Sequence, residues 1–310
     1  DVVVEVVSAT NAVKAGLQTQ TVMIKDDELA PVVTLSVSPL ALNEDAGTTS
    51  AIVTVSIPVI SGKEITVNLS KVGSTAKDLV DYTLETATLT IPAGSLLATT
   101  TVSSILDVLY EKDETVELSI DTVTNGTKTE LPSQMVTILN DDAAPTITLS
   151  VTPDKIGENS GTVVSTVRVA LSAVSELDVK VDFVKGGTAK DGIDYTLAST
   201  ITVVAGTLFN TVSLSAASDT LYEEDETIII TVDKIENATS TTQQQKTVTL
   251  DSEDAQPTVE LLLAETIEET TAGQNNTPVT AVLNTPSGHD VTVTLTKSGT
   301  ATYEVDYTLK

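Results

Sequence analysis

The stretch Pro31-Val-Val-Thr-Leu-Ser-Val-Ser-Pro39 alternates apolar and hydroxyl side chains, and it returns as Pro145-Thr-Ile-Thr-Leu-Ser-Val-Thr-Pro153 and, less closely, as Pro257-Thr-Val-Glu-Leu-Leu-Leu-Ala-Glu265. Such alternation is typical of a β-strand with one buried face. The copies begin at residues 31, 145 and 257, which are 114 and 112 residues apart, and this spacing indicates a tandem repeat. The sequence therefore predicts four segments: the C-terminal part of a repeat over residues 1–30, complete repeats over residues 31–143 and 144–255, and the N-terminal half of a further repeat over residues 256–310.

Further alternating stretches follow within the first repeat. Turn signals separate them, including Pro92-Ala-Gly94 and a hairpin signal at Asn125-Gly126. About seven short antiparallel strands in a repeat of this length predict an all-β protein built from tandem immunoglobulin-like β-sandwich modules. The predicted strands of the first repeat are residues 33–37, 51–57, 65–69, 89–91, 99–105, 116–120 and 136–139.

The composition limits the possible functions. Aromatic residues make up 3% of the chain and Trp is absent, a composition that suits small cores of β-branched side chains. Asp and Glu number 44 against 16 Lys and Arg, and the net charge of -28 excludes nucleic-acid binding. Because Cys is absent, the chain has neither a disulfide nor a thiolate metal site. We find no apolar run of about 20 residues and no secretion leader, so we expect an internal segment without a membrane span.

A second recurring stretch gathers carboxylates. Asp107-Val-Leu-Tyr-Glu111-Lys-Asp-Glu114 returns as Asp219-Thr-Leu-Tyr-Glu223-Glu-Asp-Glu226. Alternate residues of a β-strand share one face, so Glu114 and Glu226, at the first positions of their strands, lie on the same face as the core residues that follow. A carboxylate directed at the rim of a core is costly unless a cation meets it. Calcium takes about six to eight oxygen ligands, so we expect further acidic residues to converge on this loop.

Together with three other motifs, this loop resembles the Calx-β repeats known from sodium/calcium exchangers, bacterial surface adhesins and animal matrix proteins. The other motifs are an early Glu before a small-Gly turn, an Asp-Tyr pair and a closing acidic cluster, and both complete repeats contain them. The resemblance implies that these carboxylates bind Ca2+ at the end of each sandwich where the chain leaves for the next repeat. The implied calcium ligands are Glu44, Asp81, Asp107, Glu111, Glu114, Asp141 and Asp142 in the first repeat, and Glu158, Asp194, Asp219, Glu223, Glu226, Glu253 and Asp254 in the second.

Some acidic residues fit this pattern less well. In the last segment Thr270 stands where the early Glu is expected, beside Glu268 and Glu269, so no complete site is assigned there. Asp78 and Asp191 recur close to the Asp-Tyr pairs and are second choices as ligands. The competing interpretation is that all of these carboxylates lie in solvated loops of an acidic protein.

The leading hypothesis for function is a calcium-binding spacer. It would be a segment of a secreted or cell-surface adhesin or extracellular filament of a bacterium, in which Ca2+ stiffens the junctions between neighbouring repeats. Its other partners would be cell-surface or matrix components or like chains. The alternatives are a calcium-sensing domain of a membrane exchanger and a module that binds glycans or partner proteins. An enzyme is not expected, because Cys is missing, His289 is the only histidine, and the carboxylates recur at every junction.

Overall fold

The computed structural model describes residues 1–44, 49–129, 133–158, 164–268 and 275–309. Within these ranges the chain forms strands, turns and loops and no helix, which confirms the predicted all-β class. It follows that none of the described segments is a helix that could span a membrane. The predicted glycine turns at Gly47 and Gly161, together with Glu269 and Thr270, lie outside the described residues.

The first of two compact units comprises residues 1–108 and 112–141. Its strands are β1 (Val2–Glu5), β2 (Thr19–Val22), β3 (Val32–Ser38), β4 (Ala41–Asn43), β5 (Ser50–Ser56), β6 (Ile65–Lys71), β7 (Tyr82–Leu84), β8 (Thr88–Ile91), β9 (Leu97–Ser104), β10 (Glu114–Thr124), β11 (Thr127–Lys128) and β12 (Ser133–Leu139). Strands β3 to β12 form two five-stranded sheets, with the orders β4-β12-β10-β6-β8 and β11-β3-β5-β9-β7. The β1-β2 pair is separate from both sheets.

The alternation in the sequence places the apolar side chains inside this sandwich. Val33, Leu35 and Val37 of β3 are buried, whereas the residues between them are exposed. Tyr82 of the first Asp-Tyr pair is buried in the same core, as we expect for a tyrosine that fills a corner of the sandwich. Burying one large aliphatic side chain stabilises the fold by about 1.5–3 kcal/mol, so these residues fix which face of each strand points inwards.

The hairpin signal at Asn125-Gly126 predicts that the strands at residues 116–120 and 136–139 are joined there, and these strands do pair antiparallel, as β10 and β12. Asn125 has a φ of 60°, as a turn requires, and its side-chain amide donates to the carbonyl oxygen of Glu64 at 2.8 Å. The following strand β11, however, pairs in parallel with β3 of the other sheet, and the antiparallel partner of β10 is β12. The predicted pairing is therefore confirmed and only the predicted connection is wrong, because the chain crosses to the other sheet at β11 before it returns.

The second unit comprises residues 109–111 and 142–310 and repeats the sandwich. Its strands are β13 (Ile147–Thr152), β14 (Lys155–Gly157), β15 (Val164–Leu171), β16 (Val179–Gly187), β17 (Tyr195–Leu197), β18 (Thr200–Val203), β19 (Phe209–Ala216), β20 (Glu226–Glu236), β21 (Gln245–Asp251), β22 (Val259–Leu262) and β23 (Thr280–Leu283). The sheet orders are β13-β15-β19-β17 and β14-β21-β20-β16-β18. Val, Ile and Leu fill its core together with Phe183 and Tyr195.

The two outer strand pairs repeat the registers of the complete sandwiches. Val2 of β1 pairs with Val22 of β2, as Val116 pairs with Val136 in the first sandwich. Likewise, β22 and β23 are paired antiparallel, as are β13 and β15. This agreement is what partial repeats at residues 1–30 and 256–310 would produce, and the segment boundaries stay predictions.

We predict that Gly187→Ala destabilises the second unit more than the equivalent Gly73→Ala destabilises the first. Gly187 has a φ of +107°, and an added Cβ would overlap the backbone carbonyl oxygen of Thr227, so a strand must move. Gly73 has a φ of +71°, and its added Cβ would meet the end of the Glu117 side chain, which can turn away. Expected losses are about 2–3 kcal/mol for Gly187→Ala and about 1 kcal/mol for Gly73→Ala. Urea unfolding followed by the amide signals of each unit measures both, and equal losses would contradict this explanation.

Candidate metal centre

The second Asp-Tyr loop holds Asp194 in a defined position. The backbone amide of Lys190 donates to Oδ2 of Asp194 at 2.6 Å, and the Asp194 amide donates back to the carbonyl oxygen of Lys190 at 2.9 Å. Gly192 between them has a φ of +82°, a conformation that favours glycine. The next residue, Tyr195, is buried in the core and anchors the loop. Asp194 is therefore held both by its own loop and by its buried neighbour.

Glu226 and Glu223 approach the same place from the acidic loop. Glu226 is the first residue of β20, where it pairs with Leu250 of β21, and its face of the strand continues with the buried residues Ile228 and Ile230. Glu226 therefore continues the core-facing row of its strand, as the sequence predicts. Asp194, Glu223 and Glu226 each offer a carboxylate oxygen, and these oxygens lie within 4.8 Å of one another.

Burial and the neighbouring negative charges raise the pKa values of three carboxyl groups here, those of Glu158, Glu223 and Glu226. Burial, followed by the charges of Asp219, Glu223, Asp254 and Asp194, raises the pKa of Glu158 to about 7. Burial likewise raises the pKa of Glu226 and of Glu223, with the Asp194 carboxylate as the next cause in both cases. Glu158 is only 4% exposed. A carboxylate in such surroundings is stabilised when a cation joins it.

The described residues provide little compensation for this charge. Asp194, Glu223 and Glu226 take part in no ion pair within the described ranges. Oε2 of Glu226 and Oδ2 of Asp254 are buried without a hydrogen-bond partner. Unsatisfied carboxylate oxygens are hard donors, and Ca2+ prefers such donors. The chemistry of this donor set therefore fits a calcium ion.

The first repeat brings carboxylates of the first unit together in two pairs. Glu44 and Asp107 each offer a carboxylate oxygen, and these two oxygens lie within 4.8 Å of one another. The same is true of Asp81 and Glu114. Glu44, Asp81 and Glu111 are buried.

The remaining predicted ligands lie less deeply. Asp219 is exposed and its Oδ1 accepts a hydrogen bond from the Leu221 amide at 2.7 Å, but its charge still acts on Glu158. Asp141 and Glu253 are exposed, and neither they nor Asp142 belong to a described group of three. The assignment of these residues as ligands stays a prediction.

The second-choice residues have another role. Asp78 forms an ion pair with Lys71 at 2.5 Å, and Asp191 forms one with Lys185 at 2.7 Å. Neither aspartate belongs to a described carboxylate group. From the sequence we expected no repeated Lys or Arg beside these acidic residues, but Lys71 and Lys185 recur at a spacing of 114 residues.

We predict that in chelator the second unit becomes less stable as the pH rises from about 4.5 to about 7. The pKa of Glu158 is raised in the folded state, so the folded chain retains a proton in this range that the unfolded chain has lost, and stability falls with pH. Glu158→Gln should remove most of this dependence. Glu236→Gln, at the far end of β20, is the control and should keep it, because Lys234 holds the pKa of Glu236 below its usual range. Urea unfolding at several pH values tests this, and stability that rises over the range would contradict it.

The chain is similar to a known protein family in sequence and to solved proteins in structure. Among solved structures, the chain is similar to CBD12 from CALX1.2, with 16% identity, a TM-score of 0.31, and coverage of 66% of this chain and 81% of that one. It is also similar to the apo form of the Calx CBD1 domain, with 22% identity, a TM-score of 0.30, and coverage of 35% and 99%. No curated protein matches the chain in sequence. The Calx-beta domain family model matches residues 26–143 and 140–259, which is more than half of the sequence, and the chain therefore belongs to the Calx-beta family.

Proposed function

We propose that this chain is a calcium-binding structural segment in which Ca2+ occupies the carboxylate groups at the ends of the repeats. The observation that carries the proposal is the second-repeat group, where Asp194, Glu223 and Glu226 lie within 4.8 Å of one another without an ion-pair partner among the described residues. Membership of the Calx-beta family supports it, because this is a family of binding and regulatory domains. That membership also argues against an enzyme.

The acidic residues of the second repeat would have two different roles in binding calcium. Asp194, Glu223 and Glu226 would hold the ion, and Glu158, Asp219 and Asp254 would add oxygens or negative charge around it. Bound calcium would supply the positive charge that this group lacks. The ion would then replace the protons that the raised pKa values retain, so binding and proton release are linked.

The acidic loop also contacts the next segment of the second unit, which supports a role at the junction. The Gly288 amide donates to the carbonyl oxygen of Tyr222 at 2.9 Å, and the Tyr222 ring meets the His289 ring edge-on at 6.3 Å between centroids. Tyr222 is the neighbour of Glu223, so a cation that orders Glu223 would also order this contact. We propose that calcium stiffens the chain in this way.

The setting that suits such a segment is a secreted or cell-surface adhesin or an extracellular filament of a bacterium, in which consecutive repeats build an extended array. Cell-surface or matrix components, or like chains, would be its partners. The alternative is calcium sensing in a membrane exchanger, which the family membership also suits. The domain composition of the full gene product decides between them: membrane spans on both sides favour sensing, and a long run of repeats favours a spacer.

We predict that millimolar Ca2+ raises the Tm of the second unit and that Glu226→Gln removes most of this rise. An ion at 100 times its Kd adds about 2.7 kcal/mol to the free energy of unfolding. Glu226→Gln keeps the shape but loses the charge of a central ligand. The matched control, Glu236→Gln, lies on the same strand outside the carboxylate group and should respond as the unmutated chain does. Identical Tm values in calcium and in chelator would show that the proposal is wrong.

A further inference from the structure

One loop has the same local structure in three repeats. In the second repeat the Lys190 amide binds Oδ2 of Asp194, and Gly192 has a positive φ. The other two copies also have a residue with positive φ at this position, namely Leu79 with a φ of 64° and Glu304 with a φ of 66°. Their equivalent hydrogen bonds join the Lys77 amide to Oδ2 of Asp81 at 2.5 Å and the Thr302 amide to Oδ2 of Asp306 at 2.6 Å.

A lysine on the preceding strand spans this loop. Nζ of Lys185, on β16, lies 2.7 Å from Oδ2 of Asp191 inside the loop, and it also donates to the carbonyl oxygen of Leu197 at the end of β17. The lysine therefore contacts the chain on both sides of Asp194. Its side chain is 12% exposed, so water screens the ion pair less than it would on an open surface.

The contact between this lysine and the loop recurs in the other repeats, even where the partner is not an aspartate. Lys71 forms the same ion pair with Asp78. In the last segment Tyr303 stands in place of the aspartate, and Nζ of Lys297 lies 2.7 Å from the centroid of its ring. An ammonium group is attracted to the face of an aromatic ring. The lysine thus keeps its contact with the loop when the acidic partner is lost.

We propose that Lys185 is a positioning residue for calcium, which acts with Asp191 to hold the loop so that Asp194 faces Glu223 and Glu226. The inference rests on the proposed calcium binding. Asp194 is the one member of this group of three that lies outside the acidic loop, so its place is fixed by its own loop. Lys71 and Asp78 have the same role for Asp81.

The positive charge of Lys185 would by itself have the opposite effect on binding. An ammonium group near the site repels a calcium ion. The purely electrostatic effect of removing this group is therefore tighter calcium binding. Lys190 is a matched control, because its charge acts on Glu223 and Glu226 and it forms no ion pair in the described part of the chain. Loss of a positioning contact instead makes binding weaker.

The experiment compares Lys185→Met, Asp191→Asn, the double variant and Lys190→Met in the full 310-residue chain. Calcium is titrated, and binding is followed by the NMR signals of the backbone amides of residues 219–226. These signals report on the second repeat separately from the first. Lys185→Met and Asp191→Asn should each weaken binding by about tenfold, the usual scale for a residue that orients a ligand. The double variant should be no weaker than either single variant, and Lys190→Met should bind more tightly than the unmutated chain.

Hydrogen exchange in chelator tests the positioning without metal. In Lys185→Met the Lys190 and Asp194 amides should exchange faster, whereas the amides of residues 75–84 should be unchanged. Calcium binding by Lys185→Met as tight as that of the unmutated chain, with unchanged exchange, would overturn the inference. Should Lys185→Met fail to fold, Asp191→Asn decides by the same two readouts, because Asp191 is 43% exposed and tolerates the change. If the unmutated chain binds no calcium, the proposed function fails, and the exchange result still decides whether Lys185 holds the loop.

Discussion

The central constraint on this structure is the repulsion between carboxylates that the fold holds close together. Asp194, Glu223 and Glu226 each place a carboxylate oxygen within 4.8 Å of the others. The charges of Glu223 and Asp194 also raise the pKa of buried Glu158. Like charges at this distance destabilise a fold unless protons or a cation neutralise them. The stability of this part of the sandwich therefore depends on the pH and on the concentration of cations that can bind there.

The sandwich maintains this arrangement because its core fixes the strands that carry the acids. Buried Ile228 and Ile230 set the face of β20, and that face carries Glu226 at its first position. Buried Tyr195 anchors the loop that ends in Asp194. The free energy of burying these apolar side chains opposes the repulsion, which explains how a chain with a net charge of -28 gathers acids at one place.

Repetition and alternation were enough to predict the fold class, most of the strands and the position of Glu226 on a core-facing row. The path after Asn125 could not be predicted, because an Asn-Gly turn suits both a hairpin and a crossing between sheets, and contacts with Glu64 and β3 select the crossing. The ion pair of Lys185 with Asp191 was missed for a related reason. The acidic motifs do not indicate this ion pair, whereas the recurrence of Lys71, Lys185 and Lys297 before the three Asp-Tyr pairs is a signal for it.

Calcium titration calorimetry at pH 6 in two buffers with different enthalpies of ionisation tests the central claim most directly. If calcium replaces the proton that burial and repulsion retain on Glu158, whose pKa they raise to about 7, binding must release protons. The observed heat should then differ between the buffers, and the difference should shrink in Glu158→Gln. Equal heats in the two buffers, or no heat of binding in either, would contradict the account.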